Sequence, residues 1–231
     1  MANQVALITG GSRGLGYSLA KQLLKSGWNV IIDSRNTDGT LDITRLELTQ
    51  FGKVTCISGD VSEENHIQQI ADAVKPYKHL DLIVNNASTL GIIPLPYLLD
   101  YSIKELNEVF RVNVFAPLAI IQILRPYLLS NSIIINVTSD AGVEAYPGWG
   151  GYGSSKAALE HMSSILAVEN QDMFIYWVDP GDMQTELKQN SSPNEDISSL
   201  PLPEEVVPGF IKLIEGKLPS GRYKAQELIE A

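Results

Sequence analysis

The chain has 231 residues, 44% of them hydrophobic, which suits one globular domain with a large core. Its 17 Lys and Arg stand against 27 Asp and Glu, and the net charge of -10 argues against a general binder of nucleic acid or anionic membrane, since both need a basic surface. A single cysteine, Cys56, excludes an intramolecular disulfide and fits a reducing compartment. The N-terminus shows no basic segment leading into a long apolar one, and the longest apolar runs fall short of a membrane span. A soluble cytoplasmic protein is expected.

Short apolar runs alternate with helical patterns along the chain. Residues 5–9, VALIT, read as the first strand; a glycine-rich turn follows, then GYSLAKQLLKSG with helical spacing and a stop at Gly27. NVIID at 29–33 and VTCIS at 54–58 read as the next two strands, with Cys56 in the core of the latter. A helix over 62–74 begins at a serine, with Glu63 and Glu64 in its first turn, where the helix dipole favours carboxylates. LDLIVN at 80–85, a long helical tract over 102–129, SIIINV at 132–137, a helix over 151–169 and MFIYWV at 173–178 continue the alternation. Segment 189–205, rich in Ser, Pro and Glu, reads as irregular, either a flap or a surface loop. Strands that are apolar without alternation are buried on both faces, as in a parallel sheet, and strand–helix alternation builds right-handed βαβ units. The expected fold is α/β, a doubly wound three-layer sandwich with a mainly parallel sheet of six to seven strands, formed by residues 1–231 as a single domain.

Two stretches carry chemistry. TGGSRGLG at 9–16 lies between the first strand and the first helix, where glycines let the chain turn sharply and bring backbone N–H groups to a pyrophosphate at a helix N-terminus. A glycine turn with no ligand is the alternative reading. In GYGSSKAAL at 151–159, Tyr152 and Lys156 stand four apart and share one helix face. Spacing alone does not distinguish a catalytic pair from two surface side chains.

The spacing of Gly10, Gly14 and Gly16 resembles the Thr-Gly-x-x-x-Gly-x-Gly pattern of the short-chain dehydrogenase/reductase family. The resemblance covers almost the entire chain in order: GD at 59–60, NNA at 85–87, VN at 112–113, VTS at 137–139, YGSSK at 152–156 and PGDMQT at 180–185. One departure is Ser88, where the family usually has glycine. The resemblance implies a Rossmann-type fold and an oxidoreductase that moves a hydride between nicotinamide and a carbonyl or secondary alcohol. A carbonyl that receives hydride gains negative charge on oxygen and needs a proton donor there. A tyrosine with a pKa of ~10 is poorly matched to neutral pH, and a lysine ammonium one turn away is expected to lower it. By resemblance Tyr152 is the acid/base, Lys156 its helper and a holder of the ribose hydroxyls, and Ser139 bonds the substrate oxygen. Asn113 is implied to bend its helix and anchor a water in the proton relay to Lys156.

The same resemblance sets the cofactor against Gly10, Ser12, Arg13, Gly14, Leu15, Gly16, Ser34, Arg35, Asp60, Val61, Asn86, Ala87, Pro180, Gly181, Met183 and Thr185, together with Tyr152 and Lys156. Asp60 is implied to meet the adenine amino group, Asn86 to support the ribose region and Thr185 to bond the carboxamide. On the family pattern, the position where an acidic residue selects NAD falls on Ser34, followed by Arg35. With Arg13 as a second cation, this favours NADP(H). A one-residue shift that turns Asp33 to the ribose would favour NAD(H) instead.

Leu90, Tyr146, Trp149 and Met183 are the apolar candidates for the substrate pocket, and Glu144 is a polar one. His66, His79 and His161 are scattered without partners, so no metal site is expected. The family's long helices pack against their mates, which implies a homodimer or homotetramer acting on a small-molecule carbonyl or alcohol. An NADP(H)-binding regulatory or sensor protein with little turnover is the alternative. A sugar-nucleotide epimerase or dehydratase stands behind both, because only about fifty residues follow Pro180 to form a substrate lobe.

Overall fold

The computed structural model describes residues 4–35 and 39–230. Among them seven strands form one sheet: β1 (Val5–Ile8), β2 (Asn29–Ser34), β3 (Val54–Ser58), β4 (Leu80–Asn85), β5 (Leu128–Val137), β6 (Phe174–Asp179) and β7 (Gly221–Lys224). Their order is β3-β2-β1-β4-β5-β6-β7, and every pairing is parallel. The order reverses between β1 and β4, the switch point where ligands bind in open sheets of this kind.

Helices cover both faces: α1 (Gly14–Lys25), α2 (Thr40–Leu48), α3 (Glu64–Val74), α4 (Ile103–Phe110), α5 (Ala116–Leu124), α6 (Gly150–Glu169), α7 (Glu186–Ser191), α8 (Pro203–Gly216) and α9 (Ala225–Glu230). Successive strand residues point to opposite faces, and the core divides accordingly. Ala6, Ile8, Val30, Ile32 and Val84 pack with Leu19 and Leu23 of α1 and Phe210 and Leu213 of α8. Val5, Leu7, Ile31 and Ile83 pack with Ile70 of α3 and Ile120 and Leu124 of α5. Both faces are therefore apolar, which is why the strands read as unbroken runs, and each large buried side chain contributes roughly 1.5–3 kcal/mol.

Several boundaries differ from the sequence expectation. Helices α2 and α8 lie in segments that gave no helical reading. Segment 189–205 is split between the end of α7, an irregular stretch, and the first turn of α8, where Pro203 enters and the Glu205 carboxylate accepts from the Leu202 amide at 2.6 Å. Helix α3 starts at Glu64 rather than Ser62, because the Ser62 amide and hydroxyl both donate to Asp60 instead. The tract expected over 102–129 comprises α4, a π-turn (Arg111–Phe115), α5 and a 3-10 turn (Arg125–Tyr127), after which β5 begins at Leu128. By length and composition the stretch Ile103–Tyr127 could cross a membrane, contrary to the sequence expectation. In the fold, Ala116, Ile120, Ile121 and Leu124 from it are buried in the core layer shared with α3.

Candidate active site

The glycine turn links β1 to α1 at the switch point. Gly10 takes a φ of +64°, a left-handed value that glycine adopts without the penalty other residues meet. At Gly16 the reason is space: a Cβ there would sit 2.5 Å from the Gly10 carbonyl oxygen and 2.7 Å from Asn86 Nδ2. No side chain caps α1 and no acidic residue stands in its first turn, which leaves the leading amides of the helix for an anion. The Asn86 amide donates to the carbonyls of Thr9 (2.8 Å) and Gly10 (3.2 Å), and the Thr9 hydroxyl accepts from the amides of Asn86 and Ala87, each at 3.0 Å. Asn86, expected to support the ribose region, holds the turn. Ser12 and Ser34 hydroxyls meet at 2.8 Å, and the Thr44 hydroxyl donates to the Ser12 carbonyl at 2.8 Å. A braced turn, closed to any side chain at Gly16 and uncapped at its helix, fits a dinucleotide pyrophosphate.

Asp33 does not face a ribose. It is fully buried, with Oδ1 accepting from the Gly10 amide at 2.9 Å and Oδ2 lying 2.9 Å from His66 Nε2. The one-residue shift is therefore not what the structure shows. Ser34 is half-buried beside Ser12, and Arg35 beyond it is exposed. Arg13 is ion-paired with Glu186 of α7. Contrary to expectation two histidines have partners: His66 has Asp33, while His79 lies 3.4 Å from Asp81 and 2.8 Å from the Tyr77 carbonyl. Among the described residues no group of three His, Cys, Asp or Glu could hold a metal ion. Burial raises the Asp33 carboxyl against the pull of its His66 bond. Burial would depress the His66 imidazole, but the bond to Asp33 and the charges of Asp33 and Asp60 outweigh it and raise it. Burial likewise pushes the Asp60 carboxyl up, yet the two Ser62 bonds, helped by Arg35 and Arg111, hold it below the usual carboxylate range.

At the carboxyl end of β5, the side chains of Ser139, Tyr152, Lys156 and Asn113 come together with Ser88. Tyr152 is 7% exposed and Lys156 2%. Lys156 Nζ donates to the Val137 carbonyl at 2.7 Å and lies 5.4 Å from the Tyr152 ring centroid. Trp149 packs edge-on at 5.6 Å, and Leu90, Leu95 and Ala141 close the cluster. Burial raises the Tyr152 pKa well above the ordinary phenol value, Asp179 and Asp140 add to the rise, and the neighbouring Ser88 and Ser139 hydroxyls resist it. The same burial pulls Lys156 down to about 7, resisted by Glu160. Tyr152, expected below the ordinary phenol value, thus stands above it, because desolvation dominates both groups.

Asn113 lies at 1% exposure in the π-turn, where the Ala116 amide donates five residues back to the Arg111 carbonyl. The expected local distortion of the helix is present. Asn113 Oδ1 accepts from the Thr89 amide (2.9 Å) and the Ser88 hydroxyl (3.2 Å), while Nδ2 donates to the Thr89 carbonyl (2.9 Å) and Ser155 Oγ (3.0 Å). It therefore pins the loop after β4 to α6. Ser88, the departure from the family pattern, supplies the hydroxyl that donates to Asn113.

Ser139 Oγ donates to Asp140 Oδ1 at 2.8 Å and accepts from the Ala141 amide at 3.2 Å. The Tyr146 hydroxyl lies between Asp140 (3.0 Å) and Glu144 (2.9 Å), so two pocket candidates engage each other. Met183 packs into the core layer of α1 and α8 rather than with Tyr152, and Leu15 and Val61 are also buried. After β6, the Gly181 amide donates to Asp179 Oδ1 at 2.9 Å and Gln226 Nε2 donates to the Pro180 carbonyl at 3.1 Å. Thr185 caps α7 by accepting from the Lys188 amide at 3.3 Å, with its methyl 3.6 Å from where a Cβ on Gly14 would sit.

Behind Ser139 lies a network with no reading in the sequence. Arg222 of β7 donates from Nε to Glu160 (3.0 and 3.2 Å) and from Nη2 to the Ser139 carbonyl (3.3 Å) and Asp179 Oδ2 (3.3 Å). The Thr138 hydroxyl also donates to Glu160, at 2.8 Å. The DPGD run contains Asp179, but nothing in SGRYK marks Arg222.

Comparison with known proteins agrees with this geometry. The family model described as short chain dehydrogenase matches residues 4–196. The rhamnolipids biosynthesis 3-oxoacyl-acyl-carrier-protein reductase of Pseudomonas aeruginosa is 34% identical over 177 residues, covering 73% of this chain and 68% of that protein. The sepiapterin reductase of Rattus norvegicus is 30% identical over 199 residues, covering 80% and 76%. A solved structure from Escherichia coli, complexed with NADPH, is 25% identical with a TM-score of 0.84 and covers 98% of each chain.

Proposed function

The chain belongs to the short chain dehydrogenase family of oxidoreductases, and we propose that it transfers a hydride between NADP(H) and a carbonyl or secondary alcohol, with Tyr152 as general acid/base. The observation that carries this reading is the buried pair of Tyr152 and Lys156 beside half-buried Ser139 at the carboxyl end of β5, on the same edge of the sheet as the uncapped glycine turn. When bound, the nicotinamide supplies or accepts the hydride. The Ser139 hydroxyl turns from Asp140 to the substrate oxygen and polarises it. The Tyr152 phenol donates its proton to that oxygen in reduction and removes it in oxidation. Lys156, with a pKa drawn down to about 7, would hold the ribose hydroxyls and is positively charged while it carries its proton. Its charge then favours the phenolate. A water held at the π-turn of Asn113 returns the proton.

NADP(H) is favoured because Ser34 carries no carboxylate to repel a 2′-phosphate and the exposed Arg35 follows it. Arg13 joins it by exchanging Glu186 for the phosphate. Each charge-assisted bond is worth about 1.5–3 kcal/mol, roughly tenfold to hundredfold in preference. Asp60, with both Ser62 bonds on Oδ1, offers its other oxygen to the adenine amino group. Relatives named as reductases support the reducing direction, and the relative complexed with NADPH supports the cofactor. We place the enzyme in the cytoplasm as a homodimer or homotetramer, joined through the faces that expose Ile103, Phe115, Ile165 and Val168. Light scattering that found only monomer would overturn the assembly.

The test is NADPH oxidation, followed by absorbance, over a panel of ketones, aldehydes and vicinal diketones. Turnover that Tyr152→Phe abolishes while NADPH binding persists is the expected result. Turnover that survives Tyr152→Phe refutes the assignment of the acid.

A further inference from the structure

The proposed chemistry makes no use of His66 or Asp33, yet both are buried and bonded to each other. The two amides at the head of the glycine turn end on Asp33: Gly10 donates to its carboxylate and Gly11 to its carbonyl, each at 2.9 Å. The His66 ring fills the space where a side chain on Gly59 would lie, and its Nδ1 is 3.4 Å from Gln69 Oε1. The pair thus forms the floor of the turn and joins β2 to α3.

We propose that His66 is a positioning residue that acts through Asp33 to tune dinucleotide affinity: the pair holds one proton beneath the Gly10 amide, and losing it puts a negative charge under the phosphate site. This rests on the reading of the glycine turn as a dinucleotide cradle. Whether the proton sits on His66 or on Asp33, the pair is neutral while it is held. Without it an uncompensated carboxylate lies in a poorly screened interior, bonded to the Gly10 amide at the base of the turn whose helix an anion would approach. Among the groups around the pair, Asp60 adds to proton retention on His66 and is itself offset by Arg35 and Arg111, the latter also engaged by Glu63 and Glu108. The imidazole is raised, so the proton leaves above ~6.5, the ordinary histidine value, and affinity falls as pH rises from there.

The experiment is NADH binding by fluorescence from pH 6 to 9, with wild type, Asp33→Asn and His66→Gln. NADH lacks the 2′-phosphate, which would itself titrate near pH ~6. Lys156 titrates in the same range, so the readout is the ratio of variant to wild type at each pH. Asp33→Asn keeps the acceptor on Gly10 and cannot become charged; it is expected to match wild type at pH 6 and to bind about tenfold more tightly at pH 9. His66→Gln keeps a donor on Asp33 and is expected to move the pH at which affinity falls. A purely structural role would change affinity by one factor at every pH. Constant ratios for both variants overturn the proposal, and Asp33→Asn alone decides if His66→Gln does not fold. Wild type that binds neither NADH nor NADPH refutes the dinucleotide reading instead, which separates the two failures.

Discussion

Replacing Lys156 with methionine is expected to stabilise the free protein near neutral pH while abolishing turnover. The ammonium is almost wholly buried, with a bond to the Val137 carbonyl at 2.7 Å and Glu160 as the neighbouring charge that resists its deprotonation. A fall in pKa from 10.5 to about 7 corresponds to about 5 kcal/mol, at roughly 1.4 kcal/mol per pH unit. The sign follows from which state holds the proton. At or below pH 7 the lysine is charged in both states, and the folded chain bears the whole penalty. Between 7 and 10.5 the unfolded chain alone keeps the proton, so wild-type stability rises with pH, and above that window the penalty is gone. Methionine fills much of the same volume but leaves the Val137 carbonyl unpaired, which costs about 1–3 kcal/mol. The net gain for Lys156→Met is therefore about 2–4 kcal/mol at pH 7, shrinking by about 1.4 kcal/mol per pH unit and vanishing near pH ~9. Urea denaturation of both proteins at pH 7, 8 and 9 measures it. A variant less stable than wild type at pH 7, or a difference that does not change with pH, would refute the reasoning.

Gly16→Ala drives a methyl to 2.5 Å from the Gly10 carbonyl and 2.7 Å from Asn86. Overpacking of this kind costs about 1–3 kcal/mol, so the Kd for NADPH in a fluorescence titration is expected to rise about tenfold, and an unchanged Kd would mean the turn is not the cradle. Arg222→Met leaves Glu160 and Asp179 without their cation, and their side chains are only 12% and 6% exposed. Breaking a fully buried pair costs about 3–5 kcal/mol, and the partial exposure of Arg222 brings this to about 2–4 kcal/mol. Thermal melts are expected to show that loss, with kcat lowered because the Ser139 carbonyl loses its donor. A melt within a degree or so of wild type would contradict it.

What the sequence made legible is what local pattern can carry. Unbroken apolar strands announced a sheet covered on both faces, and the glycine turn and the Tyr152/Lys156 spacing fell where the fold needs them. Helix α2 escaped notice because its buried residues are only Leu41, Thr44 and Leu48, a stripe too thin to show as periodicity. Helix α8 was disguised by the prolines and glutamates at its entry, although Val206, Val207, Phe210, Leu213 and Ile214 form its buried face. The position of Asp33 at a strand end was legible, but its direction was not: it faces away from the side on which Ser34 meets Ser12. His66 meets Asp33 across 33 residues of chain, and Arg222 meets Glu160 across 62. No local spacing encodes such pairs. Burial of the site was equally invisible, which is why the net shift of Tyr152 was expected downward and runs upward.

The two ends of the site share one electrostatic logic. In the free protein burial favours the neutral form of Lys156 at the chemical end, and at the phosphate end a single proton keeps Asp33 and His66 neutral together. An anionic dinucleotide shifts both equilibria the same way, toward the protonated form, because each added positive charge offsets a phosphate. Binding near pH 8 is then accompanied by proton uptake from two separate places. Calorimetry in buffers of different ionisation heat reads the total, Lys156→Met removes one part and Asp33→Asn the other. If each variant reduces the uptake and the two reductions add to the wild-type value, the ends titrate independently, as sites that share no partner do. An uptake unchanged in both variants would mean that neither buried group responds to the cofactor's charge.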